Sequence, residues 1–149
     1  MSVKLATIAN SIAAISVSGL TIKDVDEIPT SINQRDCPLL IPNPDRYITG
    51  ARIEADSLGT GSARKMSLYY TLNYLLIYGE AGTGRVHIID AYSGMLGKAA
   101  AFLDAFYALS ALTGAVDFDA VMGDPGLTEV GAAMYHSIEI KIDVREFIN

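Results

Sequence analysis

The stretch from residue 65 to residue 78 alternates apolar and polar side chains more regularly than any other part of the chain. Every second position carries a large apolar or aromatic residue, namely Met66, Leu68, Tyr70, Leu72, Tyr74, Leu76 and Tyr78. A period of two is typical of a β-strand, in which successive side chains point to opposite faces of a sheet. Leu75 and Ile77 make the second face apolar as well, so we expect the far end of this strand to be covered on both sides.

A second stretch with the same period covers residues 134–145. Its even positions are mostly apolar, and its odd positions are mostly polar or charged, as in Glu139, Lys141 and Asp143. This pattern predicts a strand with one face towards the core and the other towards solvent.

Two other stretches repeat apolar residues at the spacing of an α-helix. In the first, residues 2–18, the apolar positions are Val3, Leu5, Ile8, Ala9, Ile12 and Ile15. Gly19 is a suitable end for this helix. The second stretch runs from about residue 87 to residue 112, and Thr113 and Gly114 follow it as a stop signal. The sequence therefore predicts an opening amphipathic helix and one long helix.

Three shorter segments have the character of strands. Residues 20–29 alternate imperfectly and end at Pro29, which predicts a short or edge strand. Residues 37–42 form a brief apolar strand between prolines. Residues 46–56 predict a further strand, which a glycine- and serine-rich loop at 57–63 joins to the strand at 65–78. The last two strands would form a long hairpin whose tip projects from the body.

These elements together predict the fold class. A chain of 149 residues is long enough for one core and short for two. We therefore expect residues 1–149 to form a single α+β domain. Its mixed or antiparallel sheet would carry the N-terminal helix and the long helix, with the hairpin loop projecting from it.

The composition points to contacts between subunits and away from nucleic acid. Half of the residues are hydrophobic and 19% are charged, so the apolar supply exceeds what a small monomer easily buries. The formal charge of -6 opposes binding to phosphates, because that affinity comes from lysine and arginine. We expect part of the apolar surplus to lie in an interface between copies.

Neither apolar candidate for a leader or a membrane span has the required pattern. Polar residues at Thr7, Asn10 and Ser11 interrupt the opening segment, where a cleaved signal peptide has an unbroken apolar run. The segment 95–116 contains Lys98 and Asp104, each of which is costly in lipid. We therefore expect a buried helix there and no membrane partner.

Two short motifs match catalytic patterns only in part. Residues 79–86 have the paired glycines of a phosphate-binding loop, but Arg85 and Val86 replace the lysine and the hydroxyl residue that this chemistry needs. The segment from Ser62 to Lys65 has the spacing of acylating serine enzymes, yet such a serine must begin a helix and this one leads into a strand. We interpret the first as a plain glycine connection between strand and helix.

The remaining chemically active side chains have structural explanations. His136 lies on the apolar side of its strand, where a hydrogen-bonded core histidine is expected, and His87 is far from it in sequence. Cys37 has no second thiol to pair with and is expected to be a core residue. Two acidic clusters lack the spacing of a calcium loop and are expected to be solvated turns: Asp24, Asp26 and Glu27, and Asp117, Asp119 and Asp124. The tyrosine row from Tyr69 to Tyr78 is expected to be a sheet face packed under a helix or a neighbour. We expect no catalytic residues, no metal and no cofactor.

Taken along its whole length, the chain resembles the tail terminator proteins of long-tailed phages. The resemblance is one of layout and covers most of the chain. It is carried by the helix at 2–18, the Ile28-Pro29 and Cys37-Pro38-Leu39-Leu40-Ile41-Pro42 segments, the strand at 65–78, the helix around Ala99-Ala100-Ala101-Phe102-Leu103-Asp104 and the strand ending Ile140-Lys141-Ile142-Asp143-Val144.

The resemblance implies a structural protein of the virion without catalytic activity. Such a protein caps the tail tube as a hexameric ring and joins it to the head connector or stopper protein, and DNA slides through its acidic opening without specific binding. It would be found in the tail or neck, and in the host cytoplasm during assembly. Another neck or tail component of the same particle fits the layout nearly as well. The hairpin loop would then contact a partner protein through Leu58, Gly59, Thr60, Gly61, Ser62 and Arg64.

Two alternatives from other classes stay open. One is an oligomeric α+β regulatory domain that binds a small molecule between the tyrosine row and the long helix. The other is a nucleotide-using enzyme built on the loop from Gly79 to Gly84.

Overall fold

A computed structural model describes residues 3–32, 34–55, 66–81 and 85–147, with the side chains of residues 34 and 85–88 excepted. The helices are α1 (Leu5–Ala13) and α2 (Arg85–Tyr107). The strands are β1 (Thr21–Ile22), β2 (Leu39–Pro42), β3 (Ile48–Ala55), β4 (Met66–Glu80), β5 (Asp117–Val130) and β6 (Ala133–Phe147). Short 3-10 turns lie at Val25–Glu27 and Gln34–Asp36.

The six strands form one mixed sheet in the order β1-β2-β4-β6-β5. β3 also pairs with β4, so β2 and β3 follow one another along the same side of that strand. β1 and β2 are parallel, and the other pairs are antiparallel. This arrangement confirms the predicted α+β class, with an N-terminal helix, one long helix and a mixed sheet.

The main core lies between the two helices and one face of the sheet, which we call the inner face. β4 and β6 supply most of its floor, for example where Leu72 pairs with Ile142 and Leu76 with Ile138. From α2 come four fully buried side chains spaced three or four residues apart: Met95, Ala99, Phe102 and Phe106. Burying this stripe is what holds α2 on the sheet.

A smaller cluster covers the opposite, outer face at the far end of β4. It joins Leu75 and Ile77 to Leu39, Ile41, Tyr135 and Ile32. The Tyr135 hydroxyl donates a 2.7 Å hydrogen bond to the carbonyl of Ile32 and so fixes the covering segment. The expectation that this end of the strand is apolar on both sides is confirmed.

The N-terminal elements are shorter than predicted. α1 ends at Ala13, well before Ser18 and Gly19. The strand expected at residues 20–29 has only two residues, because Asp24 begins a 3-10 turn. Its carboxylate accepts a hydrogen bond from the Val25 N–H, and Glu27 accepts one from the Asp24 N–H. This capping box turns the chain out of the sheet.

The region after α2 differs most from the sequence-based prediction. α2 ends at Tyr107, although the apolar spacing continues to Leu112, which is buried in the core beyond the helix. Asp117, Asp119 and Asp124, expected in a solvated turn, lie in β5, and the register shifts between Met122 and Pro125. Since β5 is an edge strand, it tolerates a proline that a central strand would not.

Within the described part of the chain, no helix is long and apolar enough to cross a membrane.

Candidate functional site

The strand β3 is exposed along its whole length. All eight of its residues are accessible to solvent, including the apolar side chains of Ile48 and Ile53. On one side β3 pairs with β4, and no strand of the described residues pairs with its other side. An unpaired strand side presents free backbone donors and acceptors to other chains. We call this side of residues 48–55 the β3 edge.

Asn73 fixes the position at which β3 begins. Its backbone N–H donates to the carbonyl of Tyr47 at 2.7 Å, and its side-chain amide donates to the Thr49 hydroxyl at 3.0 Å. Asn73 is buried, so its polar groups require these partners. The β3 edge is therefore attached to the rigid centre of the sheet.

An arginine and a glutamate give the outer face of β3 a mixed charge. Arg52 Nε lies 2.8 Å from Glu54 Oε1, and the Arg52 guanidinium lies 4.5 Å from the centre of the Tyr69 ring. Tyr69 also lies 5.7 Å from the guanidinium of Arg145 on β6. These contacts orient Arg52 along the exposed strand.

An apolar groove of about 500 Å³ adjoins the start of the β3 edge. Its lining comes from α1, from the 3-10 turn and from the start of β3, and includes Leu5, Ala9, Val25, Tyr47 and Ile48. Asp24 and Asp26 are its carboxylates. We call it the α1–β3 groove. With the β3 edge it forms a continuous surface, because Ile48 belongs to both.

Two tyrosines connect this groove to the core. The hydroxyls of Tyr47 and Tyr74 lie 3.1 Å apart, and their rings meet edge to face with centres 5.6 Å apart. Burial raises the pKa of both above the usual tyrosine value. Both hydroxyls therefore stay neutral near pH 7, which is suited to packing and hydrogen bonding.

The opposite edge of the sheet is covered where β5 begins. The Tyr107 hydroxyl donates to the carbonyl of Ala120 and, at 2.6 Å, to Asp119. It also accepts from the Ala120 N–H at 3.4 Å. Further along, Pro125 has no N–H to offer. The Tyr107 side chain thus bonds to outward backbone groups at Ala120 of β5, whereas no strand of the described residues bonds to the outward groups of β3.

The predicted pocket between the tyrosine row and α2 is filled by side chains. Tyr74 from β4 and Met95, Phe102 and Phe106 from α2 are all almost completely inaccessible there. A larger groove, of about 660 Å³, lies on the outer face between residues 28–32 and the turn that joins β5 to β6. Beside it, Glu139 contacts both Arg46 and Lys141.

The residues predicted to contact a partner lie outside the described residues. These are Leu58, Gly59, Thr60, Gly61, Ser62 and Arg64. The strands that lead into and out of this segment are described, and they pair as the predicted antiparallel hairpin. The expected contact of the segment itself stays a prediction.

The glycine-rich segment at 79–86 connects β4 to α2, as the plain interpretation predicts. β4 ends at Glu80 and α2 begins at Arg85, while Gly82, Thr83 and Gly84 lie outside the described residues. The side chain of His87 is also outside the described part.

His136 is buried on the inner face beneath α2, in agreement with its predicted position. Its ring lies 5.7 Å from that of Tyr92, at 88°. Among the described residues, however, neither of its ring nitrogens has a hydrogen-bond partner. The histidine predicted for the inner face is thus found there, and the hydrogen bond expected for it is not seen within the described part of the chain.

The remaining titratable groups matter for metal binding and for thiol reactivity. In the described ranges, no three His, Cys, Asp or Glu residues are placed to hold a metal ion. Cys37 is half-buried, and burial together with the nearby Asp36 raises its pKa to about 11. The thiol is therefore a poor nucleophile at neutral pH.

Sequence reasoning did not identify the β3 edge or the role of Tyr107. The residues of β3 alternate too little to show which side is free, and pairing partners are not visible in a single sequence. The available signal was the triplet Arg52-Ile53-Glu54, an apolar residue between opposite charges.

The sequence matches no protein-family model, and no curated protein is significantly similar to it. Membership of the tail terminator family therefore stays a prediction.

Proposed function

We propose that this chain is a structural protein of the virion of a long-tailed phage. In this role it assembles as a ring, caps the tail tube and joins it to the head connector or stopper protein. The observation that carries the proposed assembly role is the β3 edge, an eight-residue strand exposed throughout and paired on one side among the described residues. Such an edge is suited to binding protein chains. The ring itself would close through the exposed apolar side chains outside β3.

Exposed apolar side chains support a role in assembly. Large apolar residues exposed outside β3 lie on α2, on β5 and β6, and in the segments between helices and strands, as with Val3, Val25, Ile89, Leu96, Leu127 and Met134. Protein interfaces bury such residues together with a polar rim. In a ring each copy contacts two neighbours, so two of its surfaces can bury exposed apolar side chains.

The charge distribution supports the passage of DNA without binding. β5 carries four carboxylates and no lysine or arginine: Asp117, Asp119, Asp124 and Glu129. The chain as a whole has a charge of -6. A channel lined by such a surface would repel phosphates and let the duplex slide.

The segment between β3 and β4 is the proposed contact with the neighbouring protein of the neck or tail. It contains Leu58, Gly59, Thr60, Gly61, Ser62 and Arg64. In the sequence it lies between the exposed strand β3 and the central strand β4.

The test is the mass of the protein in solution, followed by microscopy of tails. We expect light scattering to show a closed ring, most tellingly a hexamer, and electron microscopy to show this ring at the end of tail tubes. A protein that stays monomeric even when mixed with tail tubes would contradict the proposal.

A second test addresses the docking segment. Shortening residues 58–64 should leave the mass of the ring unchanged and abolish the joining of tails to heads, as counted by electron microscopy. The matched control lengthens the turn at Gly131, which joins β5 to β6, by two glycines. Normal joining with the shortened 58–64 segment would remove the docking role.

The α1–β3 groove supports a second candidate, a regulatory domain that binds a small molecule. Its volume of about 500 Å³ is within the range of ligand sites. Native mass spectrometry would detect a retained metabolite. Ala6→Trp would fill the groove and should abolish that mass shift, whereas Ala101→Trp, at an exposed position on α2, should not.

A further inference from the structure

The direction of the backbone groups on β3 follows from Asn73. Its N–H bonds to Tyr47 and its carbonyl accepts from Asn43 at 2.9 Å, so both groups of residue 73 point towards the β2 and β3 side. Directions alternate along an antiparallel ladder. Tyr69 and Ser67 therefore also point towards β3, where they pair with Arg52 and Glu54.

Ile53 consequently directs its N–H and carbonyl away from β4. It pairs with Leu68, whose backbone groups point to the other side of β4. The Ile53 side chain is on the inner face and is 53% exposed. No strand of the described residues pairs with this side of β3, so these two backbone groups can bond to another strand.

The sequence around Ile53 is complementary to itself when two copies run antiparallel. With Ile53 opposite Ile53 of the second copy, Arg52 lies opposite Glu54 and Ala51 opposite Ala55. Arg52 and Glu54 share the outer face and already lie 2.8 Å apart within one chain. Opposite charges directly across a strand pair stabilise it, as do apolar pairs.

The other sheet edge does not offer this complementarity. On β5, the Tyr107 hydroxyl forms hydrogen bonds with the backbone carbonyl and N–H of Ala120. β5 carries four carboxylates and no lysine or arginine, so two β5 strands have no opposite charges to place across from one another. Of the two long edge strands, β3 and β5, β3 is the one suited to self-association.

We propose that β3 pairs with β3 of a second copy of this chain, antiparallel about a two-fold axis at Ile53. The Ile53 backbone groups exchange two hydrogen bonds across the axis, and Arg52 and Glu54 form two ion pairs. Such a contact closes at two copies. It is independent of the proposed ring, which needs contacts of another kind.

A cysteine at the axis tests the geometry. In a Cys37→Ser background, Ile53→Cys should form a disulfide-linked dimer under mild oxidation, because directly opposite residues of this kind lie about 5.5 Å apart between Cα atoms. The matched control is Ile48→Cys, exposed on the same face of β3. Its counterpart in the second copy would be about 30 Å away, so its dimer yield should be at background. Equal yields from the two variants would overturn the proposal.

Reversing the charges provides a test without cysteine. Arg52→Glu and Glu54→Arg should each lower the dimer fraction in analytical ultracentrifugation at least several-fold, and the double variant should restore it. Circular dichroism checks that each variant is folded. Two single variants that dimerise like the natural protein, or a double variant that stays monomeric, would overturn the pairing. A ring on tail tubes without Ile53→Cys cross-links would overturn this contact and leave the proposed function intact. If Ile53→Cys forms cross-linked dimers but the protein is absent from tails, the β3 contact is supported and the proposed function is contradicted.

Discussion

The Tyr70 hydroxyl donates a 2.7 Å hydrogen bond to Glu146 inside the core. The other carboxylate oxygen of Glu146 accepts the backbone N–H of Lys4 at 2.9 Å, at the start of α1. Glu146 is fully buried, and it joins β6 to both β4 and α1. A carboxylate near the N-terminal end of a helix also stabilises the helix through its interaction with the helix dipole.

Replacing this carboxylate should be costly. Glu146→Ala leaves a buried hydroxyl and a helix N–H without their partner, and we expect the free energy of unfolding to fall by about 3 kcal/mol. Urea denaturation monitored by circular dichroism measures the change. Glu129→Ala, at an exposed position on β5, should change it by less than about 0.5 kcal/mol. Similar losses from both variants would contradict the role given to Glu146.

Tyr70→Phe tests the same bond from the other side. It removes the hydroxyl and keeps the ring, so the expected loss in unfolding free energy is smaller, about 1 to 2 kcal/mol. Because the two residues share one bond, the double variant with Glu146→Ala should lose less than the sum of the single losses. Strict additivity in urea denaturation would show that the two do not interact.

Gly94 leaves room on α2 for the end of the Tyr78 side chain of β4. A Cβ atom added at Gly94 would clash with the Tyr78 hydroxyl and would lie 2.5 Å from its ring. We expect Gly94→Ala to lower the melting temperature and to reduce the unfolding free energy by about 1 to 3 kcal/mol. Adding Tyr78→Val should recover part of that loss. A Gly94→Ala protein as stable as the natural one would contradict the contact.

Gly97 is the control on the same helix. Nothing lies within 4 Å of a Cβ atom added there, so Gly97→Ala should raise the stability by about 0.5 to 1 kcal/mol through helix propensity alone. Thermal denaturation of the two variants side by side separates the packing effect from the backbone effect.

Buried tyrosines should make the protein sensitive to alkaline pH. Burial raises the pKa of Tyr70 and of Tyr74, and their hydrogen bonds to Glu146 and Tyr47 raise these pKa values further. Above pH 10 the unfolded chain releases these protons while the folded chain keeps them, so the unfolding free energy falls as the pH rises. Each group contributes a slope of up to about 1.4 kcal/mol per pH unit. Urea denaturation from pH 8 to pH 11 should show this decline, and Tyr74→Phe should make it shallower. An unchanged slope in that variant would refute the assignment.

The Cys37 thiol should react slowly in the folded protein. Its pKa of about 11 leaves about one thiolate in a thousand at pH 8, far fewer than in an unfolded chain. We expect labelling by iodoacetamide, followed by mass spectrometry, to be roughly a hundredfold slower in buffer than in urea. Equal rates in the two solutions would show that Cys37 has an ordinary pKa.

The strands and helices with strong periodicity were predictable from the sequence. β4 and β6 carry long alternating patterns and lie at the centre of the sheet, where both neighbours reinforce the pattern. β5 was not predicted as a strand, because Gly123, Pro125 and Gly126 interrupt its pattern. An edge strand tolerates such residues, but a sequence does not show which strand is at the edge.

The candidate surface was less predictable than the fold. Glu146 occupies an inner-face position on β6, yet a charged residue there is explained only by its partners Tyr70 and Lys4, which lie far away in sequence. The β3 edge is likewise visible only in the folded sheet, where no described strand pairs with its outer side. Both features depend on tertiary arrangement, which local propensity does not encode.

The position of β6 has a consequence for how the protein is made. β6 lies between β4 and β5 in the sheet, and the ribosome synthesises it after both of them. Until β6 emerges, β4 lacks its longest partner, β5 has no strand beside it, and α1 lacks the carboxylate that binds its first turn. Nascent chains that stop before residue 133 should therefore expose apolar strands and depend on chaperones, and the native sheet can close only when the central strand is inserted last.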